Sequence, residues 1–191
     1  MIDVSSYQQA VDWSSVKRSG IERAYIKMGE DHPGGIDPYA VLNLHHARAA
    51  GVQVGVYWFA HPQNTPAESS SRFLSLAHGH LLPGDLPPAL DLEVDGGLSL
   101  AQLDWWKGRW FQPVDSAIGT RATFYSFRYY LNAFHFFDDR PIWGAHPGGI
   151  TDAERARWSF WQYGEGRVPG ISGLVDFDEA LGTVPVIPPA V

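Results

Sequence analysis

Val52 to Phe59 reads VQVGVYWF, Thr65 to Ala77 reads TPAESSSRFLSLA, and Ala89 to Val94 reads ALDLEV. The first stretch is rich in β-branched and aromatic residues and predicts a strand. In the second, Thr65 caps a helix that continues through SRFLSLA. A Pro/Gly-rich loop, LLPGDLPP, leads to the third, which is again strand. Strand, helix and strand in succession is the unit of a parallel α/β sheet.

The same pattern extends outward. Strands are expected at Ile2 to Ser5, Arg23 to Met28, Arg121 to Phe127, Pro141 to Ala145, Trp158 to Tyr163 and Leu174 to Phe177, which makes eight. A short helical turn follows Asp12 and ends at Gly20. Asp37 as N-cap with Pro38 at the first helical position opens a helix that stops at Gly51. A helix with three Trp runs from Ser99 to about Ile118. Eight strands with about five helices suggest closure into a TIM-like barrel, but an ordinary one takes about 250 residues. With 191 residues, and little room for helices between the last strands, the expectation is an irregular, trimmed β/α barrel. An open doubly wound sheet is the alternative, and no Gly-rich phosphate fingerprint supports it. The domain is expected to cover residues 1–182, with 183–191 a Pro-rich tail or linker stub.

Composition limits the function. The chain has 14 basic and 21 acidic residues, a formal net charge of -7, which argues against a nucleic-acid partner needing a basic face. Cysteine is absent, so no thiolate nucleophile or thiolate metal site exists. No run of about 18 apolar residues suggests a membrane span. The opening MIDVSSYQ lacks the basic and apolar regions of a signal peptide. Eight Trp, eight Tyr and ten Phe supply flat surfaces on which sugar rings stack.

The chemistry starts from Asp91 and Glu93. Residues two apart in a strand share a face, so both carboxylates project together, away from Leu90 and Leu92. Burial and mutual repulsion raise a pKa there, which makes a proton donor usable near neutrality. Glu93 lies nearer the C-terminal strand end, where barrel active sites sit, and is expected as general acid. Asp91 orients or tunes it. Asp3 sits between Ile2 and Val4, and Asp176 between Val175 and Phe177. In a closed barrel the first and last strands are neighbours, so these two acids meet. Glycoside hydrolysis needs carboxylates converging in this way.

The order of motifs resembles glycoside hydrolase family 25, the lysozymes or muramidases. It begins with Met1 to Gln8 and Asp12-Trp13. It continues through Tyr25-Ile26-Lys27, Asp37-Pro38-Tyr39, Asn43, Ala50-Gly51, Gly55 to Phe59, Leu90 to Glu93, Tyr125-Ser126, Trp143 and Trp161-Gln162-Tyr163. It closes with Val168 to Asp176. The resemblance implies an irregular β/α barrel that hydrolyses the β-1,4 bond between N-acetylmuramic acid and N-acetylglucosamine in peptidoglycan. A monomer without metal or other cofactor is expected. The resemblance implies an acidic cluster of Asp3, Asp91, Glu93 and Asp176, with Glu93 the acid. Groove residues map onto Tyr57, Tyr125, Trp143, Lys27, Trp161 and Tyr163. Two routes stay open: a protein carboxylate as nucleophile or base, or attack by the substrate's own 2-acetamido group with retention, which the resemblance favours. With no leader read at the N-terminus, the expectation is a phage endolysin catalytic domain, made in the host cytoplasm and released through a holin. Two places depart from the family pattern. Met28-Gly29-Glu30-Asp31 stands where Thr-Glu-Gly or Ser-Glu-Gly often follows the lysine, and Tyr57-Trp58-Phe59 stands for Tyr-His-Phe.

Rival readings rest on other residues. Eight His allow a zinc-dependent wall amidase, with His45-His46 and His78-Gly79-His80 the densest clusters, but neither forms the His-Glu-x-x-His motif. A chitinase-like barrel would carry an Asp where Ala89 stands. A non-catalytic wall-sugar-binding module would use the aromatics and need no convergent acids.

Overall fold

The structure, a computed structural model, describes residues 1–32, 35–134 and 139–189. Eight strands close a barrel in chain order: β1 (Ile2–Val4), β2 (Arg23–Glu30), β3 (Gln53–Phe59), β4 (Ala89–Asp91), β5 (Thr123–Phe127), β6 (Ile142–Ala145), β7 (Phe160–Gly166) and β8 (Val175–Ala180). The sheet is parallel from β1 to β7. It is not parallel throughout, because β8 runs antiparallel to both β7 and β1. A parallel connection needs a crossover of about a dozen residues or more. Residues 167–174 are too few for one, so the chain turns back on itself.

Among the described residues, six α-helices cover the outside: α1 (Trp13–Arg18), α2 (Ala40–Ala49), α3 (Pro66–Ala77), α4 (Leu100–Ile118), α5 (Arg128–Ala133) and α6 (Asp152–Arg157). Thr65 and Ser99 cap α3 and α4 as expected, each in a reciprocal box with the side chain three residues on. The expected cap at Asp37 is displaced, because α2 begins at Ala40 and Asp37 is spent on the turn before it. Its carboxylate accepts from the backbone N–H of Tyr39 at 2.9 Å and of Ser6 at 2.6 Å, tying α2 to the loop after β1. Room does exist between the late strands, for α5 and α6 are single six-residue helices. A Thr151–Glu154 capping box marks α6, a signal present in the sequence.

The alternation of each strand produces two cores. Val54, Val56, Trp58, Leu90, Leu92 and Phe124 pack outward against the helices. Tyr25, Ala89, Tyr125, Trp143 and Phe160 fill the barrel. Tyr25 is the plug: its ring stacks on Trp143 at 4.6 Å between centroids, and its hydroxyl donates to Pro87 O at 2.9 Å. Gly55 is its register partner on β3, and a Cβ there would stand 2.5 Å from the Tyr25 ring. The plug closes the barrel below, so the free volume lies above it, at the C-terminal ends of the parallel strands. Beyond β8, the tail lies along the loop before β4. Gly84 N–H donates to Ile187 O at 2.9 Å, and Ile187 N–H to Asp85 O at 2.8 Å.

Candidate active site

A cleft of about 330 Å³ opens at that end, lined by Asp3, Asp91, Glu93 and Asp176 together with Lys27, Tyr57, Tyr125 and Trp143. Eight of the ten expected site residues therefore meet in one place. Trp161 and Tyr163 do not line it. Gln162 between them does, so by alternation its neighbours point away. Trp161 donates its indole N–H to His146 O at 2.8 Å, and Tyr163 stacks on Phe177. A larger groove of about 940 Å³ lies outside the barrel between α3 and α4, but its lining holds no carboxylate.

The strand carrying Asp91 ends at that residue, earlier than the expected Val94. The backbone beyond is still held from both sides. Ala60 N–H donates to Asp91 O at 2.8 Å, Leu92 N–H to Tyr125 O at 3.1 Å, and the Ser126 hydroxyl to Leu92 O at 2.5 Å. Asp91 is buried and Glu93 is more open to the cleft. Burial pushes both carboxyls up. For Asp91 the nearby Glu93 adds to the rise, while hydrogen bonding from Tyr125 and Asp91 holds Glu93 back. The two titrate as a pair, so the rise belongs to the pair and not to either carboxyl alone. Lys27 at the cleft wall opposes the rise at both.

On the far side, Asp3 and Asp176 are register partners in the antiparallel β1–β8 pair. Asp3 is raised well above the usual range by burial, then by Asp178 and Asp176; Asp176 is raised by burial, then by Glu165. A hydrogen-bonded chain spans the cleft floor. Tyr125 Oη donates to Gln162 Oε1 at 2.8 Å, and Gln162 Nε2 donates to Asp3 Oδ2 at 2.9 Å. Asp178, two residues past Asp176 on the same strand, accepts the Trp143 indole N–H at 2.7 Å. Burial pushes its carboxyl up to about 8. Gln162 and Asp178 are absent from the sequence-based set. Each follows from period two: Gln162 from its place between two aromatics, Asp178 from sharing a face with Asp176.

Among the described residues, His45 and His80 meet edge to face at 5.7 Å with no third ligand beside them. The group able to hold a metal is a different one, Glu30, His32 and His61, whose ligand atoms lie within 4.8 Å of one another.

The profile of Glycosyl hydrolases family 25 matches residues 2–171. The uncharacterized protein YegX of Escherichia coli K12 is 33% identical over 96% of this chain and 70% of its own length. Lysozyme M1 of Streptomyces globisporus is 29% identical over 95% of this chain and 67% of its own. The crystal structure of the lysozyme from Streptomyces coelicolor superposes with a TM-score of 0.84 at 29% identity, covering 95% of this chain and 91% of that one. The profile match stops before β8, so Asp176 joins the cleft through the β1–β8 pairing.

Proposed function

The chain belongs to glycosyl hydrolases family 25 and is a glycoside hydrolase; we propose that it works as a muramidase through Asp3, Asp91, Glu93 and Asp176. Its substrate is peptidoglycan, and the bond cut is the β-1,4 link from N-acetylmuramic acid to N-acetylglucosamine. The observation that carries this assignment of residues is the convergence of four carboxylates, each raised by burial, in one aromatic-walled cleft.

Glu93 gives its proton to the glycosidic oxygen as the bond to the muramic anomeric carbon breaks. It is suited to this because burial raises its carboxyl, so that it keeps its proton to higher pH than a free glutamate does. Asp91 lies deeper and tunes the pair. The carbonyl oxygen of the substrate's own 2-acetamido group attacks the anomeric carbon from the opposite side. Asp176, half-buried at the mouth, accepts the acetamido N–H and offsets the charge that develops. Water, deprotonated by Glu93, then opens the bicyclic intermediate, with net retention. Tyr57, Tyr125 and Trp143 pack against the sugar rings, and Lys27 sets the local potential. One chain carries the whole cleft, so the enzyme works as a monomer. Residues 1–182 form the catalytic unit, against which the tail is laid.

The test is the reducing end released from purified peptidoglycan. Borohydride reduction followed by acid hydrolysis should convert muramic acid to muramitol. Glucosaminitol in its place would make the enzyme a glucosaminidase.

A further inference from the structure

The two places where the chain departs from the family pattern meet in space. Glu30 ends β2 and pairs in register with Phe59, the last residue of β3. His32 and His61 each lie two residues beyond those positions. Their rings stand 3.9 Å apart between centroids, and the Phe59 ring packs on His61 at 4.9 Å. His61 Nε2 is buried and has no hydrogen-bond partner among the described residues.

The loops that carry these side chains are fixed by the residue between them. Asp31 is buried, and its carboxylate accepts from Trp58 Nε1 at 3.0 Å, from the Ser69 hydroxyl at 2.6 Å and from the backbone N–H of His61 at 3.1 Å. Its carbonyl accepts from Asn64 Nδ2 at 2.6 Å, and its N–H donates to Phe59 O at 3.2 Å. The Arg72 guanidinium holds the His32 carbonyl at 2.8 Å. Trp58, which stands in place of the family histidine, is thus one clamp of this arrangement.

We propose that Glu30, His32 and His61 form a binding site for one divalent transition ion of the zinc class, at the rim of the catalytic cleft. Two imidazoles and a carboxylate suit such an ion, whereas calcium and magnesium prefer oxygen donors throughout. Three protein ligands leave the fourth position to water. Bonds of about 2.0–2.2 Å in a tetrahedron put ligand atoms about 3.3 Å apart. From separations within 4.8 Å, the ligand atoms must draw closer to reach that spacing, and rotation of the His32 and His61 side chains is the movement proposed. Glu30 also pairs with Lys27 at 2.6 Å through Oε2, and a carboxylate has a second oxygen for the ion. The ion would sit next to Lys27 and Phe59, both of which line the cleft. The site does not depend on the muramidase reading, and its test uses no hydrolysis.

The full chain, free of any histidine tag and stripped with a chelator, is titrated with zinc alone by calorimetry and with cobalt by visible absorption. The expected result is one ion per chain and the intense cobalt spectrum of a four-coordinate site. His32→Ala, His61→Ala and Glu30→Gln should each weaken binding by at least about tenfold. His45→Ala/His80→Ala should bind as the unaltered chain does. His32 is exposed, so its variant tests the ligand without disturbing the fold. The proposal is overturned if the unaltered chain shows no saturable uptake. It is equally overturned if His32→Ala binds zinc unchanged, or if only the His45/His80 variant loses binding.

Discussion

Asp3 and Asp176 come from opposite ends of the chain and stand as register partners across the antiparallel seam that closes the barrel. The seam brings two carboxyl groups together at the mouth, and the effect reaches Glu93, whose carboxyl Asp176 raises and Lys27 lowers. A general acid must be protonated, so the rate falls as pH rises through its pKa. Asp176→Asn should move this basic limb to lower pH, while Lys27→Met should move it to higher pH. A pH–rate profile of kcat/KM on soluble glycan fragments checks both signs. Shifts in the same direction would remove the electrostatic account.

Asp178 has a thermodynamic signature of its own. Its carboxyl is raised to about 8, burial being the main cause and the Trp143 hydrogen bond opposing it. The folded state therefore holds a proton that the unfolded state has released. The sign is that this stability is complete below the unfolded value, near 4, and is lost as pH rises toward about 8. Asp178→Asn keeps an acceptor for Trp143 and removes the titration. The variant should lose less stability than the parent between pH 4 and pH 9. A difference of even about 1 kcal/mol moves the melting temperature by ~2–4 °C. Parallel melting curves for the two proteins would contradict the assignment.

Most of the architecture was legible because period-two alternation and helix caps are local signals. The strands were found, and Thr65 and Ser99 marked their helices. The direction of β8 was not read, because strand direction is decided by the length of the connection before it. The acids were legible because a charged residue inside an apolar strand is conspicuous. Gln162 and Asp178 were hidden for the opposite reason. Gln162 sits between two aromatics that draw attention to the wrong face, and Asp178 is an interior group that holds Trp143. The cluster of Glu30, His32 and His61 joins residues about thirty positions apart, and only the β2–β3 register brings them together.

The walls of the cleft should separate from its surroundings kinetically. Tyr57→Ala removes surface that lines the cleft and should raise KM about tenfold or more, costing at least ~1.4 kcal/mol of binding, whereas Trp143, buried between Tyr25 and Tyr125, should cost about 3–5 kcal/mol of stability when cut to Ala. Trp161→Phe removes the bond to His146 O and shrinks a ring that packs on Tyr163 and under Arg155, and Tyr163→Ala removes ring contacts to Trp161 and Phe177. Both should leave KM near the parent value, and Trp161→Phe should cost about 1 kcal/mol of stability. A large KM increase at Trp161 or Tyr163 would return them to the groove.

Retention should be visible directly. Proton NMR at early times should show the β anomer of the new reducing end first, with the α anomer growing in by mutarotation. An α-first product means inversion, which the acetamido route cannot produce.

Glu93 is the proton donor on which the reaction turns, and Glu93→Gln tests that role with minimal change of shape. Lysis of purified peptidoglycan should fall by ~100-fold or more, the usual range for a removed general acid. The far-UV spectrum and melting temperature should stay at or above those of the parent, since a raised carboxyl has been replaced by a neutral group. Full lytic activity in a folded Glu93→Gln protein would contradict the account.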